Sequence, residues 1–363
     1  MRSVVKFLKP FAPLAFAIFL LPSVSSAQYV RTDLISDTGT AQNPADLDLV
    51  NGWGLVSTPT SPFWVSDNGT GKSTLYSVSN PLQGPTATKL GLVVTIPGAV
   101  AGAQGTPTGI VANEAPSTST DFTITDPVTH KSGRAIFIFA TLDGTISGWN
   151  PNVGPGGNTA TIAVPNSGAG ATYTGLAFAS SGGHNFLYAA DDGTNRRVDM
   201  FNSTFTLVKS FSDPQIPKEF APYGIQTING QVWVTYTALN KAQGGFVDVF
   251  ATDGTLVKHF ALQGPLHSPW GIALAPDNFG PMSNAILITN NIPRGRINAF
   301  DPSSGAFLGP LRDASNKPIE IDDIWAIQFG QGAGANGATN QLFFTAGPNN
   351  YAHGLFGVIT AGQ

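Results

Sequence analysis

Six times along this chain a short apolar strand opens on an aromatic or threonine residue followed by glycine, or once by alanine, and leads into a second apolar strand and a hairpin to a third. The openers are Trp53-Gly54-Leu55, Thr108-Gly109-Ile110, Thr174-Gly175-Leu176, Tyr223-Gly224-Ile225, Trp270-Gly271-Ile272 and Trp325-Ala326-Ile327. They recur about every 45 to 65 residues, the span of a propeller blade with loop insertions in some repeats. Each such unit can bury its faces only against its neighbours, so the array must stack or close into a ring.

The second strands fall at residues 63–67, 137–141, 187–191, 232–236, 286–290 and 342–346, each a β-branched and aromatic run ended by turn residues. Third strands at 73–78, 145–149, 197–201, 246–250, 296–300 and 355–359 alternate apolar with polar positions, as a sheet with two differently packed faces requires. Fourth strands are visible at 92–96, 160–164, 206–211 and 256–261. The sixth unit runs out of chain before a fourth strand, while residues 29–35 form a strand-like run with no unit of their own. The expectation is an all-β chain: one six-bladed β-propeller over residues 28–363, its ring closed by an N-terminal strand that completes the last blade and buries Val30, Leu34 and Ile35. Closure of that kind hides a sheet edge that would otherwise template aggregation. A ring completed within one chain predicts a monomer.

Helix signals are almost absent, and 42 Gly with 27 Pro punctuate many tight turns. Residues 1–27 have the pattern of a secretory signal peptide: basic Arg2, Lys6 and Lys9, an apolar stretch at 11–21 too short to span a bilayer, and a small-residue cleavage site ending at Ala27. Its removal leaves 15 basic against 22 acidic residues, a formal charge of −7. Such a chain lacks the basic face that phosphate neutralisation needs, so nucleic acid is excluded as an expected partner. There is no cysteine, hence neither a disulfide nor a lipid-modified cysteine. No stretch near the C-terminus reads as a membrane anchor, and the expected location is the periplasm or the extracellular space.

Two fragments, residues 187–198 and 267–272, resemble the NHL-type propeller repeat. The chain from about residue 29 to 360 is similar to a family of secreted bacterial propellers, some of whose members end in a PEP-CTERM sorting signal. The segments carrying the resemblance are FWVSDNG at 63–69, FIFATLDGTISGWNP at 137–151, YTGLAF at 173–178, GFVDVFATDG at 245–254, PWGIALAP at 269–276, GRINAFDPSSGAFLGPL at 295–311 and FTAGPNNYAHGLF at 344–356. The resemblance implies the propeller fold and a location outside the cytoplasm, and it implies no activity.

Two constellations could carry chemistry. In blade order the openers are Trp53, Thr108, Thr174, Tyr223, Trp270 and Trp325, so four aromatics occupy consecutive blades of a closed ring. Such an arc beside the channel mouth could stack on sugar rings or clasp a peptide, with His267 on the adjoining loop. The same rings could instead wedge between blades as core. At the ends of second strands, Asp67, Asp191 and Asn290, with Asp322 and Asp323 entering blade six, could converge as oxygen ligands for Ca²⁺. Asp and Asn are equally turn residues that bond local backbone. The five histidines, at 130, 184, 259, 267 and 353, show no metal-binding spacing, and no nucleophile elbow is present. The sequence thus favours a secreted binding or scaffolding propeller that takes a peptide, glycan, small molecule or envelope partner on one face. A metal-dependent hydrolase or lactonase with its site at the channel mouth is the alternative, and whether the chain is an enzyme stays open.

Overall fold

In a computed structural model of the chain, Met1 and residues 28–79, 84–240, 243–332 and 334–362 are described; the rest of the expected signal segment, residues 2–27, lies outside them. Six four-stranded antiparallel sheets form a six-bladed propeller. From axis to rim, blade one comprises Gly52–Val56, Phe63–Asp67, Lys72–Ser79 and Thr86–Thr95. Blade two comprises Pro107–Ala112, Phe137–Thr141, Thr145–Trp149 and Thr161–Pro165, and blade three Tyr173–Ser181, His184–Asp191, Arg197–Asn202 and Leu207–Phe211. Blade four comprises Phe220–Ile228, Gln231–Ala238, Phe246–Phe250 and Leu256–Leu262, and blade five Pro269–Leu274, Ile286–Asn290, Ile297–Phe300 and Phe307–Pro310. Blade six comprises Ile324–Phe329, Gln341–Ala346 and Leu355–Ala361, and its outer strand is the N-terminal Tyr29–Ser36.

That closure matches the sequence expectation in register, with Tyr29 opposite Ala361 and Ser36 opposite Leu355 across a bulge at Leu34. Its buried side chains differ by one: Leu34 and Ile35 are covered, whereas Val30 is half exposed and Tyr29 takes the burial. The Tyr29 hydroxyl donates to the Phe279 carbonyl and accepts the Met282 N–H, so the closing strand is pinned to blade five as well.

The glycine of each opener has a mechanical cause. In every inner strand the pairing slips at the opener, leaving a bulge. There the backbone presses on the next blade: a Cβ on Gly224 would sit 1.9 Å from the Trp270 carbonyl oxygen. Opposite each bulge lies one buried hydroxyl per blade. Where the opener is Thr108 or Thr174, the facing second-strand residue is Ala140 or Ala190; where it is aromatic, that position is Ser66, Thr235, Thr289 or Thr345. Four of these hydroxyls stitch blade to blade, while that of Thr235 bonds Gly224 within blade four and that of Ser66 is buried without a partner. Thr108 donates to Tyr173 O, Thr174 to Tyr223 O, Thr289 to Trp325 O and Thr345 to Trp53 O, at 2.6–2.8 Å.

Six hydrophobic clusters fill the seams, one between each pair of neighbouring blades. The insertion at residues 113–134, polar in composition, folds into the small hairpin Thr123–Thr125 and Ser132–Arg134. Phe122 and Ile124 carry it down onto the seam of blades two and three, where they are fully covered.

Candidate functional site

The four opener aromatics are brought together at the axis. Trp53 stacks on Trp325 with centroids 3.5 Å apart, Trp270 meets Trp325 edge-on at 5.9 Å, and Tyr223 lies 5.7 Å from Trp325. Trp53 also reaches Tyr223 at 6.5 Å, although blades one and four stand opposite each other in the ring. Rings that touch across the axis close the channel at this end. The indole N–H of Trp325 donates to Asn51 Oδ1 and that of Trp270 to the Thr174 carbonyl. The three tryptophans are buried against one another, and Tyr351 covers Trp325 from outside. Tyr223 is half-buried, and its hydroxyl shares Asn291 Oδ1 with that of Tyr351. His267 is half-buried on the loop before blade five, its N–H held by Asn290 Oδ1.

The second-strand ends are spread around the ring and used locally. Asp191 accepts from the N–H groups of Thr172 and Gly193 and from the Asn195 amide. Asn290 also donates to the Pro265 carbonyl. Asp322 accepts from the Arg294 N–H and Asp323 from the Asn350 N–H. Asp67 is different: it is fully buried, neither carboxylate oxygen has a partner in hydrogen-bond geometry, and burial pushes its carboxyl well above the usual range. Beside Asp191, Asp192 is pushed up to about 6, first by burial and then by its acidic neighbour.

Beyond the aromatic plug the channel widens into a well of about 640 Å³, with Trp270 at its floor. Inner-strand residues of all six blades wall it, including Leu55, Ile110, Leu176, Ile225, Ile272 and Ile327. Ser57, Asn113, Glu114, Gln226, Thr227 and Gln328 supply its polar groups. The Gln328 amide spans to blade one by bonding both the N–H and the carbonyl of Ser57. Gln226 is exposed to the well, and the Thr227 hydroxyl is buried without a partner. Glu114, although accessible, is desolvated by the walls enough to lift its carboxyl above the ordinary value. The well was missed at the sequence level, yet a signal existed. Three residues past the opener the blades carry Val56, Val111, Ala177, Gln226, Ala273 and Gln328, and the two glutamines break an apolar column.

Among the described residues one group of acids and histidine has ligand atoms mutually within 4.8 Å: Asp213, Asp248 and His259. Asp213 lies on the link from blade three to blade four; Asp248 and His259 face each other on the outer strands of blade four. His259 Nδ1 is 2.9 Å from Asp248 and 3.4 Å from Asp213. Burial pushes Asp248 up to about 6 against the restraint of the His259 hydrogen bond, which in turn holds the imidazole above its ordinary value. None of the five residues expected to hold Ca²⁺ belongs to this group. The spacing of 11 residues between Asp248 and His259 gave no motif, because the pairing is made by strand register.

No known protein-family profile matches the chain. Two uncharacterised proteins of Acanthamoeba polyphaga mimivirus are 29 % and 28 % identical to it over 347 residues each. Both alignments cover 91 % of this chain, and 80 % and 85 % of the viral proteins. A solved streptogramin B lyase structure superposes with a TM-score of 0.51 at 12 % identity, covering 93 % of this chain and 98 % of that one. At that identity the likeness speaks for the propeller architecture alone.

Proposed function

We propose that this chain is a binding module that takes a neutral, hydroxylated small molecule, such as the end of a glycan, in the central well. The observation carrying this reading is the well itself: a dead-ended cavity of about 640 Å³ with aliphatic walls, an indole floor and a few amide and hydroxyl groups. Ligand pockets have that size and make-up, with the apolar wall supplying affinity and the few polar groups fixing orientation. Amides suit sugar hydroxyls because each offers both a donor and an acceptor. Glu114 is the sole carboxylate among the described lining residues, so the well offers a hydrolytic metal one charged oxygen ligand where several are needed.

The secretory reading of residues 1–27 and the NHL-type, bacterial secreted-propeller resemblance belong to the same proposal, and they set the ligand outside the cytoplasm. N-terminal sequencing of exported protein starting at Gln28 supports it; retention of residues 1–27 in the cytosol counts against it. For the ligand, a Gln226→Trp variant fills the well from an exposed position. The wild type is expected to capture a set of neutral glycans on an array, and the variant to lose them at an unchanged melting temperature. Equal capture by both proteins overturns the assignment of the well.

A further inference from the structure

The third strands carry a buried polar residue at one equivalent position: Thr74, Ser147, Asp199, Asp248 and Asn298, with Gly357 in blade six. In blade three that residue is an acid with its full set of partners. Asp199 receives Arg197 Nε at 2.7 Å, the Ser210 hydroxyl at 2.7 Å and the Tyr173 hydroxyl at 3.0 Å. Blade four repeats the acid without the fixed cation. The register that places Arg197 in blade three places Phe246 in blade four, and the one that places Ser210 places His259. Blade four then adds a second acid, Asp213, to the same niche.

The niche is therefore short of positive charge. Asp213 and Asp248 are both buried, and each keeps one carboxylate oxygen without a hydrogen-bond partner. The buried Tyr236 hydroxyl leans on the Asp248 carboxylate without reaching good hydrogen-bond geometry, and it feels Asp213 as well. Two buried acids and a phenol with this few good partners are destabilising unless something from outside completes them.

We propose that the seam between blades three and four binds one divalent cation of the Zn²⁺ class through Asp213, Asp248 and His259, with the Tyr236 phenol alongside. A mixed imidazole and carboxylate set suits a borderline first-row metal, whereas Ca²⁺ prefers oxygen alone. His259 gives the ion its way in, since its side chain is 31 % exposed while the acids behind it are covered. Asp213 sits on the segment joining two blades, so the ion acts as a clamp across the seam, independent of any ligand in the central well.

The test uses the full chain stripped with chelator and titrated with Zn²⁺ alone. One ion per chain is expected, with a melting temperature that climbs by about 3 °C or more as Zn²⁺ exceeds the dissociation constant. His259→Ala and Asp248→Asn remove both effects. His259→Lys gives the niche a fixed cation like that of blade three, and should fold, bind no Zn²⁺ and melt at or above the stripped wild type. If stripped wild type neither binds Zn²⁺ stoichiometrically nor gains stability from it, the proposal fails and the group is a hydrogen-bonded His–Asp pair. Equal Zn²⁺ binding by the His259→Lys variant also overturns it.

Discussion

At the scale of single residues, the axis obeys a rule of one hydroxyl per blade, supplied from either of two strands. Thr108→Ala leaves the Tyr173 carbonyl without its buried donor, which should cost about 1 to 3 kcal/mol in denaturant unfolding. Adding Ala140→Thr puts the hydroxyl where blades four, five and six keep theirs, and part of that loss should return. A double variant no more stable than Thr108→Ala would refute the equivalence of the two positions. Gly224→Ala should be far more damaging than Ala326→Gly, because the added Cβ would lie 1.9 Å from the Trp270 carbonyl oxygen, a backbone atom that cannot move aside, whereas Ala326→Gly only removes a methyl. Asp192 sets a pH signature. Its folded pKa of about 6 lies above the unfolded value near 4, so between those limits the folded state holds a proton that the unfolded state has released. Stability from this group is complete below about pH 4 and is lost as pH rises through 6, up to roughly 3 kcal/mol. Asp192→Asn should flatten that slope, melting higher than the wild type at pH 7 and no higher at pH 4; parallel pH profiles for the two proteins would count against it.

At the scale of elements, the N-terminal strand does the most with the fewest residues. Deleting residues 28–36 removes the buried Tyr29, Leu34 and Ile35, whose burial contributes roughly 1.5 to 3 kcal/mol each, uncovers the apolar surface they packed on and bares the edge of Leu355–Ala361. Light scattering should show aggregation at temperatures where the full chain stays clear. An unchanged melting curve would mean that blade six is stable with three strands. The strands of this fold were legible because their information is local: runs such as FWVSD and FIFAT carry both β propensity and the stop. The burial of Val30 was misjudged because the bulge at Leu34 and the reach of Tyr29 to blade five depend on tertiary contacts. The aromatic openers could be found from their position in the repeat. Their meeting across the axis could not, since it depends on how narrow the ring is. Asp213, Asp248 and His259 were invisible for a similar reason: register brings two of them together and the neighbouring blade brings the third.

At the scale of the whole molecule, stability is distributed over six seams, hydroxyl bonds across four of them and the tryptophan plug at the axis. The ends of the ring are adjacent, Tyr29 lying opposite Ala361, so a circular permutant that joins them and opens between Gly182 and Gly183 should keep the fold. The tip at 182–183 has open space around it, and far-ultraviolet circular dichroism together with the melting temperature will tell. A permutant that aggregates would show that closure through blade six has no substitute elsewhere. The aromatic plug has a consequence for traffic. With opposite blades in ring contact at one end, the well is a cul-de-sac, and anything that enters past Gln226 and Gln328 must back out by the same door. Water displaced on entry has to slip past the incoming molecule, and no competitor can push from behind. Dwell time is then set by the grip inside together with the one doorway through which everything must leave.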